Sequence, residues 1–162
     1  MSNYREVVFA AGDPQIGNLA TPVNSSGVVT ALIRNLPAYR KGLSAQRRGL
    51  EVGMAHGYLL IGPFAKLGPL RDSDHAILAG LLGAVGLVVI LTVCLSIYTS
   101  TNPAKPIATV TTPDIPEDLG SQQGWNDFTT GFLVGGIGGA GFAYLLLANL
   151  PVLQSISGNL FN

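Results

Sequence analysis

Charge is what this sequence has least of. Nine basic and nine acidic residues among 162 make 11% of the chain charged and leave no net charge. A soluble domain typically carries about 25% charged residues. A deficit of that size, beside 48% hydrophobic residues, points to a chain with much of its surface in lipid. The balanced charge removes any argument for a nucleic-acid partner. Cysteine is almost missing: Cys94 stands alone, which excludes an intrachain disulfide and a cysteine-based metal centre. There is no glycine-rich phosphate loop and no plausible catalytic triad, so nothing marks the chain as an enzyme. Residues 1–48 are polar and mixed apart from a short apolar run, Val7 to Ala11. They lack the make-up of a signal peptide, so this part is expected to remain untranslocated.

What the sequence does contain is three apolar segments. Ala76 to Tyr98 is 23 residues without a charge, roughly 34 Å of helix against a bilayer core of about 30 Å. Phe128 to Leu150 is also uncharged. Gly49 to Ala65 is shorter, 17 residues or roughly 25 Å. Arg47 and Arg48 at its head are placed to snorkel, and a re-entrant or interfacial helix is the alternative to a span. The expected fold is therefore an all-α integral membrane protein with three transmembrane helices, at 46–66, 76–98 and 128–150. An N-terminal extramembrane region, 1–45, precedes them, and a tail, 151–162, follows. A short charged loop, 67–75, joins the first two helices. The connection at 99–127 carries Pro103, Pro106, Pro113 and Pro116 and is expected to be largely extended.

Pro14, Pro22 and Pro37 divide the N-terminal region. Between the last two, SSGVVTALIRNLP reads as a short helix capped by Ser25 or Ser26. Val28, Val29, Leu32, Ile33 and Leu36 fall on one of its faces, which suits a membrane surface or a neighbouring protein. With three spans, Arg5, Arg34, Arg40, Lys41, Arg47, Arg48 and Lys105 share a side, against Lys66 and Arg71 on the other. Basic residues collect on the cytoplasmic (stromal) side. The N-terminus is expected there and the C-terminus opposite.

Two features stand out within the spans. Gly49, Gly53 and Gly57 recur every fourth residue, as do Gly131, Gly135 and Gly139. Such a stripe lets another backbone or a flat ring approach closely. The first span also carries Glu51 and His56, and ionisable side chains in a bilayer are expensive. Five helical residues turn through about 500°, which sets these two about 140° apart and about 7.5 Å along the axis. That geometry argues against one shared metal site or a direct proton relay and suits two separate sites. Arg48, three residues before Glu51, is a salt-bridge candidate. His56 has no acidic residue at i±3 or i±4. It suits either a hydrogen bond to a neighbouring helix or a neutral imidazole as axial ligand to a cofactor metal, with Gly53 and Gly57 leaving room for a macrocycle.

NLPAYR, RGLEVGMAHGY, KLGPLRDSD and QQGWNDFTTGFLVGGIGG together resemble subunit XI of the photosystem I reaction centre, of the cyanobacterial type, over nearly the whole chain. The resemblance implies three transmembrane helices in the thylakoid membrane, with a stromal N-terminus and a lumenal C-terminus. It implies a non-catalytic subunit that binds chlorophyll a and beta-carotene, with Glu51 and His56 as axial ligands to chlorophyll magnesium and Gly53 and Gly57 beside the rings. Magnesium is a hard cation, so carboxylate oxygen and imidazole nitrogen are both sensible donors. The implied partners are the core and small subunits of photosystem I, lipid, and copies of the same subunit in neighbouring monomers. At that monomer contact the resemblance also implies calcium, on the Pro69 backbone oxygen and the Asp72 carboxylate. The plain alternative is an Asp72 that is solvated or paired with Arg71. The long proline-rich loop departs from the form associated with trimers, which favours a tetramer. The competing readings are a scaffold without pigment and a small membrane transport subunit using Glu51 and His56.

Overall fold

The structure is a computed structural model, and it describes residues 8–10, 12, 15, 17–149, 151, 152, 155 and 158. Arg5, Val7, Ala11, Pro14, Leu150 and most of the tail 151–162 lie outside the described residues. Two short strands, β1 (Phe9–Ala10) and β2 (Leu19–Ala20), pair antiparallel, an addition to the all-α expectation. Helix α1 spans Gly27–Asn35, α2 Ala45–Leu67, α3 Ala76–Ser100 and α4 Gln122–Asn149.

Local chemistry sets most of these boundaries. The Ser26 hydroxyl accepts from the Val29 N–H to cap α1, and Leu36, just before Pro37, turns extended with ψ 145°, as a residue preceding proline does. None of α1's residues is buried. Along its apolar stripe Val28, Leu32 and Leu36 are exposed, while Val29 and Ile33 are half-buried. Ser44 caps α2 by accepting from the Arg47 N–H. In α3, Thr92 and Thr99 donate back to the carbonyls of Val88 and Leu95, which satisfies hydroxyls in an otherwise apolar helix. The connection 99–127 is not extended throughout. A 3₁₀ turn forms at Glu117–Gly120, and α4 begins at Gln122, well before the expected 128. The reason is a local cap: the Ser121 hydroxyl accepts from the Gly124 N–H, and the Trp125 indole donates to the Leu119 carbonyl.

Among the described residues, α3 and α4 are long and apolar enough to cross a membrane. Helix α2 does not meet that measure, because Arg47, Arg48, Glu51, Lys66 and several glycines dilute its apolar character.

Helices α2 and α4 are meshed by their glycines. A Cβ built on Gly49, Gly53 or Gly57 would lie 1.9 Å, 2.2 Å or 1.9 Å from the carbonyl oxygens of Phe128, Phe132 and Gly136. In return, one on Gly131, Gly135 or Gly139 would lie 2.1 Å, 2.0 Å or 2.2 Å from those of Gln46, Leu50 and Met54. Each helix thus presses its glycines on the other's carbonyls. Such an approach brings Cα–H groups to oxygen and gives dense van der Waals contact where lipid supplies no hydrophobic drive. Helix α3 closes the bundle. Ile61, Ala84, Ala140 and Ala143 form one buried cluster, and Val88, Phe128 and Phe132 form another.

The turn before α2 is fixed by a buried arginine. Arg48 is only 4% exposed, and its Nη1 donates to the carbonyls of Pro37 at 3.1 Å, Ala38 at 3.3 Å and Arg40 at 2.7 Å. Gly42, at φ +80°, allows the reversal that brings this turn back over α2.

Gly53→Ala should force α2 and α4 apart and cost about 1–3 kcal/mol or more. Gly62→Ala and Gly141→Ala, where nothing lies within 4 Å of the added carbon, should be close to neutral. Thermal release of the subunit from its isolated complex compares the three. Arg48→Met should leave the turn carbonyls without their donor, at about 1–3 kcal/mol for a buried unsatisfied group, and should speed protease cleavage between residues 37 and 44.

Candidate functional site

Glu51 sits on α2 three residues beyond Arg48, yet Arg48 is not its partner. The Arg48 Nη1 is committed to backbone carbonyls. The turn instead delivers Arg40, whose Nη2 lies 2.6 Å from Oε1 and 2.7 Å from Oε2 of Glu51. The ion pair of Glu51 is therefore with Arg40 and not with the candidate Arg48. Helical spacing could not find Arg40, because it is eleven residues away across a chain reversal. The next residue, Lys41, reaches the proline-rich loop, with Nζ 2.8 Å from Asp114. The hydrogen bond from Lys41, and then its charge, hold the Asp114 carboxyl below its ordinary pKa. Lys105 and Glu117 form a further ion pair within that loop. Consecutive basic residues thus tie the turn to both α2 and the loop.

Glu51 lies on the wall of a largely apolar groove of about 840 Å³ on the outside of the α2–α4 pair. Met54 and Tyr58 of α2, Val134, Gly138 and Phe142 of α4, and Pro37 above them complete its walls. The Tyr58 and Phe142 rings are 6.3 Å apart. An ionised carboxylate offers about four lone-pair positions on its two oxygens. Arg40 engages one on each, so the carboxylate can still donate to a cation.

His56 does not line this groove. Its Nδ1 lies 2.8 Å from the Val52 carbonyl. A carbonyl only accepts, so Nδ1 carries a proton, and in the neutral imidazole Nε2 keeps its lone pair. Fixing one ring nitrogen in this way is how a protein orients a metal-binding histidine. The ring meets Phe132 edge-on at 5.5 Å and is otherwise exposed on the outside of the bundle. Both side chains therefore carry a donor suited to a hard cation such as the magnesium of chlorophyll, on separate surfaces of α2.

Gly53 and Gly57 do not leave room for a ring. The backbone of α4 fills the space beside each of them. The glycine that opens the groove is Gly138, with no atom near its missing side chain. It falls outside the four-residue repeat, as Gly136 and Gly141 also do, so spacing alone did not single it out.

Pro69 and Asp72 lie on the exposed loop between α2 and α3. The Asp72 carboxylate is 3.4 Å from the Arg71 Nε and 81% exposed. Among the described residues no group of three or more His, Cys, Asp or Glu side chains converges on a metal site. Calcium takes 6–8 oxygen ligands, and one arginine-paired carboxylate with one carbonyl does not meet that need within this chain.

Comparison with known proteins gives these features a context. The family described as Photosystem I reaction centre subunit XI (PsaL) matches residues 6–152. A relative from Trichormus variabilis, named Photosystem I reaction center subunit XI, is 61% identical over 155 residues, 95% of this chain and 90% of the relative. One of the same name from Crocosphaera subtropica is 61% identical over 94% of this chain and 99% of its own length. One from Porphyra purpurea is 57% identical over 93% and 94%. The chain belongs to the photosystem I reaction centre subunit XI family, a non-enzymatic membrane subunit of a photosynthetic complex.

Proposed function

We propose that the chain ligates peripheral antenna chlorophylls through Glu51 and His56 and joins reaction-centre monomers to one another. Chlorophyll supplies light absorption, and its magnesium takes an axial donor. The chain's residues position that donor and shape the space around it. The observation that carries the reading is the state of the two donors. His56 has its Nδ1 engaged and its Nε2 lone pair available, and Glu51 keeps spare lone pairs beside an apolar groove. Their placement on separate surfaces of α2 supports two pigments and speaks against a transport path that would need both. Beta-carotene suits the apolar outer surfaces of the same bundle.

For the membrane arrangement we take α2 as a third span beside α3 and α4. Close meshing with α4 supports this, since a helix so packed with a spanning partner shares its depth. The stromal N-terminus and lumenal C-terminus rest on the distribution of basic residues. The contact between monomers is assigned to copies of this subunit. The loop 99–127, pinned by Lys41–Asp114 and Lys105–Glu117, favours a tetrameric arrangement. A calcium ion at that contact would need most of its oxygens from other chains.

In complexes isolated from His56→Leu and Glu51→Ala strains, each substitution should remove a single chlorophyll, read as pigment content and as a distinct absorption difference, while the subunit remains assembled. Unchanged pigment in both, with oligomers lost on deletion of the subunit, would leave a scaffold without pigment.

A further inference from the structure

We propose that Arg40 is the positioning residue of the Glu51 pigment site. It holds the carboxylate in position and balances its charge, and it is itself fixed by Arg48. The inference rests on the reading that Glu51 ligates a chlorophyll. A glutamate has three side-chain torsions, and a ligand left free to rotate among them would hold a cation poorly. Ligands are ordinarily oriented by a second group, and loss of that group typically costs about 10–100-fold in metal affinity.

Here the second group is a guanidinium with Nη2 2.6 Å and 2.7 Å from the two carboxylate oxygens. One nitrogen shared by both oxygens holds the carboxylate in position at the end of its side chain. It also makes the pair neutral beside an apolar wall, where an isolated anion is costly.

The backbone of Arg40 is held independently. Its carbonyl accepts from the buried Arg48 at 2.7 Å, and its neighbour Lys41 is anchored to Asp114. The order of support runs from Arg48 to the turn, from the turn to Arg40, and from Arg40 to Glu51. His56 shares none of these partners and serves as an internal control.

The test compares photosystem I complexes carrying Glu51→Ala, Arg40→Met, Arg40→Lys or the Arg40→Met/Glu51→Ala pair. Pigment content and low-temperature absorption and circular-dichroism difference spectra are read per complex. Arg40→Met should lower affinity at the Glu51 site by about tenfold, giving a difference spectrum at the band lost in Glu51→Ala. The double variant should add nothing to Glu51→Ala alone, and the His56 band should stay in place. Arg40→Lys, which keeps the charge on a shorter side chain with a differently placed nitrogen, should keep the pigment and displace its band.

A wild-type spectrum for both Arg40 variants, with the band lost in Glu51→Ala, would overturn the proposal and leave the ligand reading intact. So would Arg40→Met altering the His56 band as strongly as the Glu51 band, because that is the mark of a role in folding alone. If Arg40→Met prevents assembly, Arg40→Lys decides. A displacement confined to the Glu51 band supports the proposal, and an unchanged spectrum overturns it. A Glu51→Ala complex with full pigment removes the ligand reading, and this proposal with it.

Discussion

The structure depends on the approach of α2 to α4. Six glycines bring two backbones to a distance that no side chain would allow, with each missing Cβ directed at a carbonyl oxygen of the other helix. This contact lets a helix bearing two arginines, a glutamate and a histidine run beside an apolar helix. Its packing energy comes from backbone contact, without help from a long apolar stripe. It also decides which surfaces of α2 remain available. One surface is consumed by α4 and another by α3, so Glu51 and His56 are left on the remaining outer surfaces.

From that constraint the polar chemistry follows. Arg48 lies at the N-terminal head of α2, where burial removes it from water. It is compensated by three carbonyls of the preceding turn. Those hydrogen bonds shape the turn, and the turn places Arg40 against Glu51. A buried charge and an unusual ion pair are thus parts of one arrangement. The same turn reaches the long loop through Lys41. The segments around the helix head are therefore connected through a handful of basic side chains in a chain that has few charges to spend.

The groove beside Glu51 is a consequence of helix geometry. Gly135 and Gly139 of the α4 repeat mesh with α2 and also edge the groove. Where Gly138 departs from the repeat, space opens between Met54, Tyr58, Val134 and Phe142. The residues that hold the helices together and Gly138, which has open space beside it, are of the same type and differ in the direction they face. This is why Gly53 and Gly57, the obvious candidates for ring contact, turn out to be helix contacts.

The sequence by itself determined what depends on composition and on spacing along one helix. The shortage of charge marked a membrane protein. Apolar length located α3 and α4, and the 100° step per residue kept Glu51 and His56 off a common face. Motifs such as RGLEVGMAHGY pointed to the family. Only the tertiary structure decided what depends on chain reversal and on contact between helices. It paired Glu51 with Arg40 in place of Arg48, committed Arg48 to the turn and filled the space beside Gly53 and Gly57. It also started α4 at Gln122, where Ser121 and Trp125 supply a local cap. The physical reason is the same in each case. Periodicity tells which residues share a face, but a partner eleven residues away across a left-handed glycine, or on another helix, is set by how the backbones approach. No one-dimensional pattern records that approach.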